Sequence, residues 1–234
     1  MKYLVVIQNQ EEKINTNSLE SLAAAQKISN SNNAEIYALT FNKKVAHELS
    51  KFKATKIIYV NNPELNEFNP IYYLNTLTQI NNNYNLDLIF FGHSYQTRDW
   101  VPRLSALLDY PFISDCINFS TEQGLQLIRP IYQAKLNEKI SIKNKGIVSF
   151  QAGSFSKDEL ESGTTDIEQI SLNLSDIKLN IRPGEKFKES EGGVDLTSAD
   201  IIVSIGRGIG KEENLSLVRE LAEAIGGELA SSRP

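Results

Sequence analysis

Arg207 lies within a run of glycines, Gly206-Arg207-Gly208-Ile209-Gly210, and Arg233 follows two serines in Ser231-Ser232-Arg233. Each segment stands after a strand-length stretch: Ile201-Ile202-Val203-Ser204-Ile205 before the first, and the short run from Glu228 before the second. A glycine loop between a strand and a helix presents backbone N–H groups to a phosphate, and the helix dipole behind it favours negative charge. Arginine adds a planar fork of donors that suits phosphates and flat aromatic rings. The spacing thus offers anion and ring binding from two adjacent βα crevices. The alternative is a loop whose glycines serve only a tight bend.

No other residues are spaced for making or breaking bonds. His47 stands among Lys43, Lys44 and Glu48 and reads as a solvated helix residue. His93 follows a strand end, where ligands bind in α/β sheets, but it has no adjacent nucleophile or second ligand for a triad or a metal site. Cys116 falls in a strand pattern and reads as a small core residue. The acidic runs at Asp158-Glu159 and at Glu189 to Glu191 read as solvated turns, and no carboxylate pair has a spacing that specifies acid–base work.

The elements that position the arginines come from periodicity. Between the two arginine segments, Leu215, Val218, Leu221, Ala222 and Ile225 fall on one helical face. Glu212 and Glu213 sit in the first turn, and Gly226-Gly227 end the helix. Upstream, strands are expected at 3–7, 34–40, 56–60 and 86–91, and helices at 18–29, 43–51, 70–81 and 97–109. Asn17 with Glu20 is expected to cap the first helix, and Thr97 the last, whose buried face would be Trp100, Leu104, Leu107 and Leu108. Four strand-like runs follow without helices, at 112–119, 126–132, 135–142 and 146–150, and read as an antiparallel meander. A polar stretch from 154 to 198 carries one apolar alternation at 167–179, and Gly192-Gly193 mark a hinge. The fold class is α/β: a mostly parallel sheet with flanking helices and an antiparallel extension, then the start of a second α/β domain. The expected domains are 1–195, with the polar linker at its end, and 196–234, incomplete.

The chain has 234 residues, 41% of them hydrophobic, enough for a core in one large domain or two smaller ones. A net charge of −5 argues against non-specific binding to nucleic acid or an anionic membrane. One cysteine leaves no disulfide framework and fits a reducing compartment. The first apolar run, Tyr3 to Ile7, is too short for a signal peptide or a membrane span, so a cytoplasmic protein is expected.

The segment from Val203 to Pro234 resembles the start of the flavin-binding domain of the electron-transfer flavoprotein alpha subunit. Gly206-Arg207-Gly208, Glu213-Asn214 and Ser232-Arg233 match that family in type and spacing, while Ile205 stands where a first glycine is usual. Pro102-Arg103, Leu108-Asp109, Ser114-Asp115 and Ile128-Arg129-Pro130-Ile131-Tyr132 resemble it further upstream, whereas Thr97-Arg98-Asp99 depart from its glycine and lysine. The resemblance implies an electron carrier without substrate chemistry of its own. It implies FAD held through Gly206, Arg207 and Gly208, with Ser232 and Arg233 reaching the flavin. The implied partner is a beta subunit that commonly holds AMP; flavoprotein dehydrogenases would donate electrons and a further protein accept them. Family members continue past the position of Pro234, so the chain is expected to be truncated within the FAD-binding domain. Residues 200–234 offer roughly two strands and one helix, too little to retain FAD alone. The competing reading is an α/β module that binds a nucleotide or a partner without redox activity, or an assembly or regulatory paralogue without flavin. Thr40-Phe41-Asn42 and Gly92-His93-Ser94, after the second and fourth strands, lack a phosphate fingerprint.

Overall fold

The computed structural model describes residues 1–10, 12–184, 196 and 199–231. These form two compact units, Met1–Pro183 and Gly184–Pro234.

In chain order the first unit contains β1 (Lys2–Val6), a small hairpin of β2 (Asn9–Gln10) and β3 (Lys13–Ile14), α1 (Thr16–Asn30), β4 (Glu35–Thr40), α2 (Lys43–Leu49) and β5 (Lys56–Val60). Next come α3 (Pro70–Tyr84), β6 (Leu88–Gly92), α4 (Tyr95–Leu108), β7 (Phe112–Cys116), β8 (Asn118–Ser120), β9 (Gln126–Ile131), β10 (Leu136–Ser141), β11 (Gly146–Phe150) and β12 (Ile167–Ile170). Seven strands make one sheet in the order β12-β5-β4-β1-β6-β11-β7. Every neighbouring pair in it is parallel.

A parallel sheet is covered on both faces, so its strands are apolar at successive positions. β1 shows the consequence. Tyr3, Val5 and Ile7 enter one core with Leu22, Ala25 and Ile28 of α1 and Val45 and Leu49 of α2. Leu4 and Val6 enter the other with Tyr72, Leu77 and Ile80 of α3 and Trp100 and Leu104 of α4. The side-chain period of two thus divides one strand between two cores. Trp100 anchors the second, with its ring edge-on to Phe91 at 5.5 Å and to Tyr73 at 5.6 Å; truncating a residue so packed costs on the order of 3–5 kcal/mol.

The expected four-strand meander is corrected. Of these runs, only β8, β9 and β10 pair antiparallel, in one small sheet. β7 and β11 pair in parallel with each other, and β11 lies between β6 and β7. The excursion through β8–β10 is long enough for the chain to return in parallel, which a hairpin cannot do. Burial marks the difference: all five residues of β11 are buried, whereas β10 is exposed or half-buried throughout.

Helix starts differ from expectation as well. α1 begins at Thr16, and Asn17 and Glu20 form no capping pair. Glu20 instead accepts from the Gly153 backbone N–H at 2.9 Å, tying the segment after β11 to the helix. α4 begins at Tyr95, with Ser94 rather than Thr97 as its cap, and Ser94 Oγ accepts from the Thr97 N–H at 3.1 Å. Thr97 is buried and donates to the Gly92 carbonyl at 2.7 Å. Leu107, expected in the core, is exposed. The apolar alternation expected at 167–179 supplies a strand and a core residue of the first unit. β12 adds to the sheet edge beside β5, and Leu174 is buried in the second core.

The second unit is one parallel strand–helix–strand: β13 (Ile202–Ile205), two 3-10 turns at Arg207–Ile209 and Glu212–Asn214, α5 (Leu215–Ile225) and β14 (Glu228–Ser231). Gly226 ends α5 in the left-handed conformation with φ 66°. A Cβ at Gly227 would lie 3.0 Å from Ile201 Cγ2, so glycine lets β14 start close beside β13. Of the expected apolar face, Ala222 is buried and Leu215 and Val218 are half-buried. Leu221 and Ile225 remain 53% and 45% exposed, because two strands are too narrow to cover the whole stripe. The expected hinge at Gly192-Gly193 lies outside the described residues.

Candidate functional site

β13 delivers the chain to Gly206 in extended conformation, and the backbone then tightens. Ile209 N–H donates to Gly206 O at 3.1 Å, and Gly210 N–H to Arg207 O at 3.2 Å. Gly210 takes φ 74°, a conformation glycine adopts without strain. Asn214, just before α5, donates from Nδ2 to the Ile209 carbonyl at 2.8 Å and so ties the loop to the helix start. The Glu213-Asn214 pair carried a resemblance in the sequence, but the work of Asn214 needed the geometry to be seen.

A Cβ added at Gly206 or at Gly208 would meet no atom within 4 Å. Packing among the described residues therefore requires glycine at neither position, and among them the backbone beside both is open to approach. Arg207, between them, is exposed. An open backbone loop and a guanidinium, ahead of a helix, form a donor set that fits a phosphate. The parallel register sets Ile205 beside Ser231, so the chain leaves β14 at the same end of the pair as the loop leaves β13. Ser232 and Arg233 lie outside the described residues. Lys211 and Glu213 pair at 3.2 Å in full exposure, a contact of little energetic weight.

The first unit has a second place where α/β folds bind ligands, the switch point where strand order reverses between β1 and β6. Here it is filled by side chains. Gln8, just after β1, is buried and donates from Nε2 to Thr97 Oγ1 at 3.0 Å. Its Oε1 accepts from Ser94 Oγ at 2.7 Å, and its backbone N–H donates to Ser18 Oγ at 2.9 Å. The crevice is occupied by a polar network of its own side chains.

His93 follows β6 one strand further along. Its Nδ1 is 2.8 Å from Ser149 Oγ and its Nε2 is 3.8 Å from Asp115 Oδ1. The three groups sit in a row, but Ser149 is fully buried and its hydroxyl also accepts from the Asp115 N–H at 3.2 Å. No substrate can reach that oxygen, so the row is not a nucleophile and its base. Burial holds the His93 pKa below its ordinary value; the Asp115 carboxylate opposes this and the Arg98 guanidinium reinforces it. His47 is exposed on α2. Cys116 is buried, which pushes its thiol up to about 12. Among the described residues no group of three or more His, Cys, Asp or Glu could hold a metal ion, and no helix is long and apolar enough to cross a membrane.

Known proteins assign the class first. Residues 3–175 match a family model described as the electron transfer flavoprotein domain, and residues 195–234 match one described as the electron transfer flavoprotein FAD-binding domain. The chain is 30% identical over 242 residues to the electron transfer flavoprotein subunit alpha of Bacillus subtilis (strain 168), covering 99% of this chain and 72% of that protein. It is 25% identical over 241 residues to the subunit alpha of Methylophilus methylotrophus, covering 100% and 74%. It is also 26% identical over 238 residues to the lactate dehydrogenase (NAD(+),ferredoxin) subunit LctC of Acetobacterium woodii, covering 98% and 57%. The chain belongs to the electron transfer flavoprotein alpha-subunit family.

Proposed function

We propose that Gly206, Arg207 and Gly208 hold a phosphate of FAD, that Ser232 and Arg233 reach its ring, and that the FAD-binding domain begins near Leu196. The observation that carries this reading is the open backbone on both sides of Arg207, at the end of the parallel pair where β14 also finishes. Bound FAD supplies the capacity to take up and release electrons one or two at a time. The chain's own residues bind and orient: loop N–H groups and Arg207 neutralise phosphate charge, Asn214 fixes the loop, and Arg233 adds positive charge beside the ring. On this reading the protein makes and breaks no substrate bond.

The partner is a beta subunit, which completes the cofactor site and commonly holds AMP. Flavoprotein dehydrogenases donate the electrons, a further redox protein accepts them, and the lone cysteine fits a cytoplasmic setting. The partly covered α5 face supports a need for further protein around the cofactor. Residues 200–234 alone are therefore expected to hold FAD weakly. Co-expression with a beta subunit, size-exclusion chromatography and the visible flavin spectrum test the reading. The expected outcome is a yellow heterodimer, an almost colourless chain when purified alone, and at least tenfold weaker FAD binding in Arg207→Ala. A chain that ignores the beta subunit, or unchanged FAD affinity in Arg207→Ala, would overturn it.

A further inference from the structure

Beyond the carboxyl ends of β6, β11 and β7 lies an open groove of about 1030 Å³, walled by α4 on one side and by the end of β9 on the other. The carboxyl ends of parallel strands are where α/β folds place ligands. Unlike the plugged switch point next to it, this groove is not filled by its own side chains. Its charges are unevenly matched. Arg129 donates from Nε to Glu138 at 2.9 Å, so that charge is engaged. Arg98 makes no ion pair among the described residues; its guanidinium lies 5.5 Å from the Tyr95 ring centroid, and Tyr95 is 88% exposed. His93 faces the groove between Arg98 and Asp115, with Ser149 behind it. Tyr132 stands at the far wall, 75% exposed. With Arg129 engaged, the charged groups left in the groove are the Arg98 guanidinium and the Asp115 carboxylate, and Asp115 lies beside the His93 imidazole, leaving Arg98 as the cation open to a ligand.

We propose that this groove binds a small anion carrying a carboxylate or phosphate group, held by the Arg98 guanidinium and by His93 in its protonated form. The site is independent of the FAD reading, since every residue in it belongs to the first unit. Proton uptake follows from the geometry. The charged groups facing the imidazole are Arg98 on α4, which disfavours its protonation, and Asp115 on β7, which favours it. An anion on Arg98 cancels the first and adds to the second, so binding and protonation of His93 reinforce each other.

The chain contains only two histidines, so NMR titration reads His93 directly, with the exposed His47 as an internal control. The full chain is titrated at constant ionic strength with inorganic phosphate and, separately, with succinate. The His93 titration is expected to move upward with one or both probes while that of His47 stays fixed. Binding should be about tenfold tighter at pH 6 than at pH 8. Movement with phosphate alone, or with succinate alone, assigns the ligand class. Arg98→Ala, on an exposed helix face, should abolish the response. A His93 that ignores both probes, a His47 that moves with it, or a response that survives Arg98→Ala would each overturn the proposal.

Discussion

Arg233 comes two residues after β14, and by the proposed reading its charge lies beside the flavin. A unit charge about 4 Å away at an effective dielectric near 20 is worth roughly 4 kcal/mol, and solvent at an exposed ring edge reduces this to about 1–2 kcal/mol. Arg233→Ala should therefore lower the first one-electron potential by on the order of 50–100 mV, and Arg233→Lys should keep part of the difference. A spectroscopic redox titration of the FAD-loaded heterodimer measures this; an unchanged potential at full occupancy removes Arg233 from the ring. His93 carries a prediction about the fold. Its folded pKa lies below its unfolded value of about 6.5, so the unfolded state takes up its proton first as pH falls. Its contribution to stability is intact above about pH 6.5 and is lost as pH drops from there through the lowered folded value. Denaturant unfolding at intervals between about pH 5.5 and 8 should show a shallower decline in His93→Gln than in the parent chain. Equal declines would mean that the imidazole does not carry this dependence.

The elements show which parts of the molecule could be read from the chain. Strand positions follow from apolar runs, and β1, β4, β5 and β6 lie within a residue or two of expectation because each is bounded by turn-forming residues. Strand partners do not follow. Gly146–Phe150 and Gln126–Ile131 are both strand-like in pattern, yet one is interior to a parallel sheet and the other belongs to a small antiparallel one. The buried run Ile147-Val148 held the clue, since a two-sided core needs consecutive apolar residues. Asn17 and Glu20 were misread because their side chains act at long range, on groups more than seventy residues away that no local motif records. Oriented to satisfy both groups, the Asn17 amide accepts from His93 N–H at 2.9 Å and donates to Phe150 O at 3.2 Å. The β9–β10 turn carries a backbone cost, and Tyr132, expected at the end of a strand run, belongs to it. Tyr132, Gln133 and Ala134 all take positive φ, at 51°, 58° and 61°. A left-handed residue with a side chain costs roughly 1–2 kcal/mol, and glycine relieves this while losing about 0.4–1 kcal/mol through the unfolded chain. Ala134→Gly should thus stabilise the first unit by about 0.5 kcal/mol in denaturant unfolding, and a clear loss of stability would contradict this account of the turn.

At the scale of the whole molecule the two units differ in how much apolar surface they bury. The first has a core on each face of its sheet, whereas α5 has only Ala222 fully buried. Local opening free energies follow such differences. Amide hydrogen exchange in α5 should run at least about 100-fold faster than in β1 and β6, and should slow when a beta subunit and FAD are bound. Uniform protection along the chain would show that the second unit is more stable by itself than its burial implies.

The polar plug around Gln8 bears on how such a domain could change over generations. Ser94, Thr97 and Ser18 each have a hydrogen bond with Gln8. Gln8→Ala would remove the side-chain bonds to Ser94 and Thr97, while Ser18 keeps its bond from the backbone N–H of residue 8, at about 0.5–1.5 kcal/mol for each hydrogen bond lost. No ligand would yet be present to repay that loss. Clearing the crevice for a ligand would take substitutions at Gln8, Ser94 and Thr97 together, so these bonds hold the switch point closed.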